Sequence, residues 1–236
     1  ALAPAMRRYR MFLLRPRRAA GFTLVELLVV IAVIALLIGI LLPTLGKARG
    51  AARTVKCLCQ LRTLGQFTAM YADTNRDSMP RSQHSAFPNQ VAPWGYAFFE
   101  YVTGSAYTQS DAGWLTVFNG PYRCPHDRRT ERWSYAYNVY YELTADETQG
   151  RTWTRLSQVP VTTASVLFGE LLPTASADHA MAHFWTQFNA PPEIDPKRHG
   201  DGTGVVYVDG HAASKPFPSL FDHSLHVDQY NPATAR

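Results

Sequence analysis

Acidic residues are absent from the first 21 positions, where six arginines stand: Arg7, Arg8, Arg10, Arg15, Arg17 and Arg18. The formal net charge of the whole chain is +5, yet without that segment 17 Lys and Arg face 18 Asp and Glu. The basic character belongs to the leader, not to the folded body. A nucleic-acid partner calls for a basic patch on the body, so the charge pattern argues against one. Also missing are a glycine-rich phosphate loop and a Gly-x-Ser-x-Gly elbow. No internal repeat or low-complexity tract is present. Nothing in the sequence sets a nucleophile beside its base, so no enzyme class is indicated.

Two short spacings that resemble metal motifs are incomplete. Cys57-x-Cys59 lacks the usual two-residue spacer of a structural zinc site and the further ligands. His179 and His183 are four residues apart, a spacing that sets two imidazoles on one helix face. The Glu of His-Glu-x-x-His is absent.

What the sequence does hold is one long apolar run, FTLVELLVVIAVIALLIGILL, from Phe22 to Leu42. As a helix it is about 30 Å long, one hydrocarbon core. Six arginines before it predict a cytoplasmic leader and an extracytoplasmic body. A secretory signal peptide would have a shorter apolar region and a small-x-small cleavage site. Here Pro43-Thr44-Leu45-Gly46-Lys47 follows instead. A plain signal anchor leaves Glu26 unexplained. A carboxylate deep in a bilayer costs about 3 kcal/mol on insertion scales and normally has a partner or a task.

The segment Gly21-Phe22-Thr23-Leu24-Val25-Glu26-Leu27-Leu28 resembles the cleavage and methylation motif of type IV prepilins and type II secretion pseudopilins. The resemblance implies cleavage by a prepilin peptidase after Gly21 and methylation of the new Phe22 amine. It makes Glu26 the assembly residue and Pro43 the helix-interrupting proline. It also implies other pilin-like subunits and inner-membrane lipid as partners, a bacterial inner-membrane location and a filament after processing. Secretion pseudopilus and extended pilus both stay open. After cleavage the Phe22 amine is a cation at the end of an apolar helix. The Glu26 of one subunit can meet that amine on its neighbour, each charge removing the other's unpaired burial cost.

A second resemblance, to a subgroup of prepilin-like proteins, spans more of the chain. Cys57-Leu58-Cys59-Gln60-Leu61-Arg62-Thr63-Leu64-Gly65-Gln66 is similar to its Cys-x-x-Asn-Leu-Arg-Gln-Leu/Ile-Gly stretch, with Gln60 in place of Asn. Tyr122-Arg123-Cys124-Pro125 and Ser134-Tyr135-Ala136-Tyr137-Asn138 look like its Cys-Pro and Ser-Tyr-x-x-Asn segments. His199, nine residues and Asp209-Gly210 match its C-terminal signature.

The chain reads as a basic leader over 1–21, a long helix over 22–73 that spans the membrane over 22–42, and a globular body over 74–236. Pro43 removes one helical hydrogen bond and predicts a kink or local melting. Cys57, Leu61, Leu64, Phe67 and Tyr71 form a helical apolar stripe opposite Lys47, Arg49, Arg53, Lys56 and Arg62. Short helical pieces are expected around Trp94–Val102 and Ala112–Phe118. Strands are expected over Ser134–Tyr141 and Ser165–Gly169, and a hairpin over Gly204–Ala212 turning at Asp209-Gly210. The fold class is α+β and pilin-like, a long N-terminal helix packed on a small antiparallel sheet.

Cys57 sits on the inward stripe, so a Cys57–Cys124 disulfide would tie helix to body, with Cys59 as the competing partner. His199, Asp201, Asp209 and His211 cluster around the predicted hairpin. Pseudopilins of one class bind calcium in a C-terminal loop, which makes Asp201 and Asp209 calcium candidates. The simpler reading has Asp209-Gly210 making the turn and His199 or His211 bonding nearby backbone. The alternative function is a membrane-tethered enzyme or metal- or ligand-binding module. His179, His183, His199 and Asp209 would be its site.

Overall fold

A computed structural model describes residues 21–108, 113–129 and 132–236. The chain forms two units, one ending at Lys47 and one running from Ala48 to Arg236. Helix α1 (Leu24–Thr74) contributes to both.

In the first unit, α1 opens on a capping box. The Thr23 backbone N–H and hydroxyl donate to Glu26 Oε2, both at 2.8 Å, and the Glu26 N–H donates back to Thr23 Oγ1 at 3.2 Å. Reciprocal capping of this kind satisfies donors that a helix start leaves unpaired. The helix then runs unbroken through Pro43, so the local melting expected there does not occur. The Thr44 hydroxyl donates to the Leu41 carbonyl at 2.8 Å. Every residue from Gly21 to Arg49 is exposed.

In the second unit, α1 buries Cys57, Leu61, Leu64, Gly65, Thr68 and Ala72, spaced at three- and four-residue intervals along one face. Phe67 and Tyr71 are half-buried beside them, while Arg53, Lys56 and Arg62 face water. The body is built around a five-stranded sheet. Its strands are β1 (Tyr135–Asn138), β2 (Val166–Glu170), β3 (His179–Ala180), β4 (Thr203–Tyr207) and β5 (Ala212–Lys215), in the order β3-β1-β2-β4-β5. Every residue of β1, β2 and β4 is buried, as expected of strands covered on both faces. Edge strand β5 is more open and ends on Lys215, a charge that discourages further pairing.

The sheet differs from the expected antiparallel one. β3 runs parallel to β1, with Tyr137 opposite His179, so the sheet is mixed. The first strand also ends early. Asn138 accepts from the Tyr140 N–H and starts a 3₁₀ turn over Val139–Tyr141. Its amide donates to the Val166 and Tyr230 carbonyls at 2.8 and 2.7 Å. That buried side chain is fully used by backbone, which accounts for the Asn of the Ser-Tyr-x-x-Asn segment.

Short helices α2 (Trp94–Ala97), α3 (Phe99–Thr103) and α4 (Trp114–Asn119) supply an aromatic layer. Trp94 is fully buried against Phe98, Tyr122, Trp133 and Phe168, and its indole N–H reaches the Asp178 carbonyl at 3.0 Å. A buried indole normally needs such a partner. Helix α5 (Ala182–Gln187) and a two-stranded sheet of β6 (Phe221–Asp222) and β7 (Val227–Asp228) complete the body.

Candidate functional site

The first candidate is the start of α1. From Leu24 to Leu42 the helix offers apolar side chains on every side, and Glu26 is its one charge. It is long and apolar enough to cross a membrane. Both donors from Thr23 use Glu26 Oε2. Among the described residues Oε1 has no partner, so half the carboxylate is open to an incoming donor. Gly21 and Phe22 lie ahead of the first helical turn and are exposed.

Residues 16–42 match the family model described as the prokaryotic N-terminal methylation motif. The N-terminal segment is prepilin-like. A curated relative, the type IV wide pilus major component PilA4 of Thermus thermophilus, is 44% identical over 59 residues. That match covers 25% of this chain and 45% of the relative's length. No solved structure matches the chain significantly. The prepilin-like segment thus rests on residues at the front, and the body has to be read from its own geometry.

Within the body, the chain gathers several of its motif residues around one buried cluster. Cys57 on α1 is disulfide-bonded to Cys124, with Cα atoms 5.0 Å apart. Cys59 is free and exposed, because positions two apart on a helix face opposite ways. His199 Nε2 lies 2.8 Å from Glu170 Oε1, with side chains 1% and 0% exposed. Glu170 Oε2 accepts from the Gly204 N–H at 2.7 Å, and His199 Nδ1 lies 3.1 Å from Thr54 Oγ1. His126 packs edge-on to His199 at 4.8 Å. Burial first, and then the neighbouring imidazole, holds His126 below the usual histidine range.

The partner of His199 is therefore a carboxylate, not the backbone expected from sequence. Thr54, His199 and Glu170 line up as hydroxyl, imidazole and acid. Thr54 lies inside α1, and its hydroxyl also reaches the Gly50 carbonyl at 3.2 Å.

The other sequence candidates separate. Asp209 and Gly210 form the β4–β5 turn, where Asp209 Oδ1 accepts from the His211 N–H at 3.1 Å. His199 and Asp201 precede β4, at its opposite end, about 20 Å away at strand rise. The four do not form one site, and Asp201 and Asp209 cannot share a calcium ion. His179 is in β3 and His183 in α5, so the helix-face pair expected of them does not exist. His179 instead bonds Asp178 at 2.9 Å. Burial holds the His183 pKa low.

Glu170, Thr54 and His126 gave little sequence signal. The clearest was an acid closing an otherwise apolar strand, Val166–Glu170.

Other motif residues serve to join elements. Gln60 accepts from the Tyr135 hydroxyl at 2.9 Å and donates to the Gly120 carbonyl at 2.6 Å. The Gln that replaces Asn in the first body motif thereby reaches the tyrosine of the third.

Proposed function

We propose that the chain is a structural subunit of a type IV pilus-like or type II secretion-like filament. The carrying observation is the first part of α1, Leu24 to Leu42: an exposed apolar rod whose sole charge, Glu26, keeps one carboxylate oxygen unpartnered among the described residues. In this reading residues 1–21 form a cytoplasmic leader, residues 22–42 span the inner membrane, and the body lies outside the cytoplasm. A prepilin peptidase cleaves after Gly21 and methylates the Phe22 amine.

The apolar rod is first solvated by lipid. Spans of other pilin-like subunits then replace the lipid. Contact between apolar spans has no direction, so it does not fix axial register. A Phe22 amine donating to Glu26 Oε1 of a neighbour would fix it, because an unpaired charge in hydrocarbon is costly. Of the two filament types, the likeness to a pilus component favours the pilus. A tethered enzyme on the same anchor has less support, since the Thr54 hydroxyl of the Thr54–His199–Glu170 line also bonds the Gly50 carbonyl of its own helix.

The test is the N-terminus of the mature protein by mass spectrometry, in cells with an active prepilin peptidase. The expected chain begins at Phe22 and carries one methyl group on its amine. A protein that keeps its arginine-bearing leader in those cells would overturn the reading.

A further inference from the structure

The two disulfide sulfurs share their surroundings with Glu170 and His199. One ligand atom from each of Cys57, Cys124, Glu170 and His199 lies within 4.8 Å of every other. Among the described residues this is the one group of three or more metal-ligating side chains so close together. It draws on α1, the loop at Cys124, the end of β2 and the loop before β4, and the four side chains are buried.

The cluster is held as ligand sets are held. Gly204 N–H fixes Glu170 Oε2 and leaves Oε1 facing inward. Thr54 Oγ1 sits against His199 Nδ1 and leaves Nε2 facing the same point. Such outer partners fix the tautomer and the aim of metal ligands. Two thiolates, one imidazole and one carboxylate make a donor set suited to zinc.

We propose that the dithiol form of this chain binds one zinc-class divalent ion through Cys57, Cys124, Glu170 and His199, and that the disulfide is the alternative closure of the same site. The cysteines are thiols when the chain is synthesised. On binding, each thiol loses its proton to solvent and two metal–sulfur bonds form. His199 ligates through Nε2 as the tautomer that carries its proton on Nδ1, toward Thr54. Tetrahedral zinc sets ligand atoms about 3.3–3.8 Å apart, so the sulfurs part and the four groups draw together by about 1 Å. In the reverse direction a disulfide-bearing oxidant accepts two electrons from the thiolates and, with two protons, becomes two thiols. The Cys57–Cys124 bond forms and the ion leaves. Either closure joins α1 to the body, and neither depends on the filament reading.

The test uses the full chain in detergent micelles with Cys59→Ser, which removes the exposed thiol. One sample is reduced with a phosphine under nitrogen, and one is left oxidised. Each is exposed to Zn²⁺ or Co²⁺ and desalted. The reduced chain is expected to keep one metal per chain and, with Co²⁺, to show thiolate charge-transfer and tetrahedral d–d bands. The oxidised chain should keep none. Zinc should slow alkylation of Cys57 and Cys124 at least about tenfold.

Thr54→Val, which keeps the helix and frees His199 Nδ1, should weaken zinc binding about 10–100-fold. If reduction loosens the fold, zinc should restore the near-ultraviolet dichroism. The proposal fails if the reduced chain keeps no metal, if zinc does not restore a loosened fold, or if oxidised and reduced chains bind alike.

Discussion

Gly65 on α1 and Gly210 in the β4–β5 turn touch. A Cβ on Gly65 would lie 3.1 Å from Gly210 Cα and 2.9 Å from Val206 Cγ2. These are the glycines of two motifs about 145 residues apart in sequence. The helix crosses the hairpin so closely that Gly65 has no room for a side chain, whereas Gly210 faces open space and answers to its backbone angle instead. Gly210 has φ of 88°, which a residue with a Cβ resists. Gly65→Ala is expected to destabilise the body by about 1–3 kcal/mol through overpacking. Gly210→Ala should cost about 1 kcal/mol through backbone strain. Urea denaturation followed by tryptophan fluorescence measures both. A Gly65→Ala chain as stable as the parent would show that the helix can lift at no cost.

Removing one partner of the buried Glu170–His199 pair leaves Glu170 with only the Gly204 N–H, or His199 with only Thr54, at a place almost closed to water. His199→Ala and Glu170→Ala are each expected to destabilise by about 3–5 kcal/mol. The double variant should lose much less than the sum, since the second removal deletes the orphan left by the first. Additive losses in a double-mutant cycle would mean that the two side chains act separately.

The sequence shows these relationships unevenly, for physical reasons. The apolar run and the arginines before it are local, so the anchor is readable from periodicity and charge alone. The stripe from Cys57 to Tyr71 and the Asp209-Gly210 turn are local as well. β3 escapes notice because two residues pair with β1 by position, not by propensity. The separation of His179 from His183 turns on where a strand ends and a helix begins, which spacing does not reveal. Glu170 stands alone in sequence; its histidine partner is 29 residues away. The Gly65–Gly210 contact is visible only once the helix lies across the hairpin.

The Cys57–Cys124 bridge encloses a loop of 67 residues. On the chain-entropy account, closing such a loop in the unfolded state contributes about 4 kcal/mol. Cys124→Ser in the oxidised protein is expected to lower stability by that order. Cys59→Ser, at an exposed helix position, should stay within about 0.5 kcal/mol of the parent. Equal effects would mean that Cys59 exchanges into the bridge.

Acid should weaken the body through Asp127. Its burial alone would raise the pKa. Hydrogen bonds from the Arg129 side chain and backbone and from Ser134, together with the Arg198 charge, hold it well below the usual carboxylate range. The folded state therefore binds this proton less readily than the unfolded chain. The stabilisation is complete above the ordinary Asp pKa of about 4 and falls away as pH drops toward the folded value. Asp127→Asn should be less stable at neutral pH, and its stability should vary less below pH about 4. Parallel acid limbs for parent and variant would remove Asp127 from that account.

Glu26 has two tasks that a pair of substitutions can separate. It caps α1 through Thr23, and in the proposed filament it receives the amine of an adjoining subunit. Glu26→Gln keeps an oxygen for the cap, because Gln serves the same capping box, but it removes the charge. Glu26→Ala removes both. Membrane insertion should survive either change, since each makes the span more apolar. Assembly should fail in both if the carboxylate neutralises a neighbour's amine. It should recover in Glu26→Gln if the cap alone matters. Crosslinking between subunits in membranes, compared with total inserted protein, reads the difference. Incorporation of Glu26→Ala at the parental level would leave the carboxylate without a role in assembly.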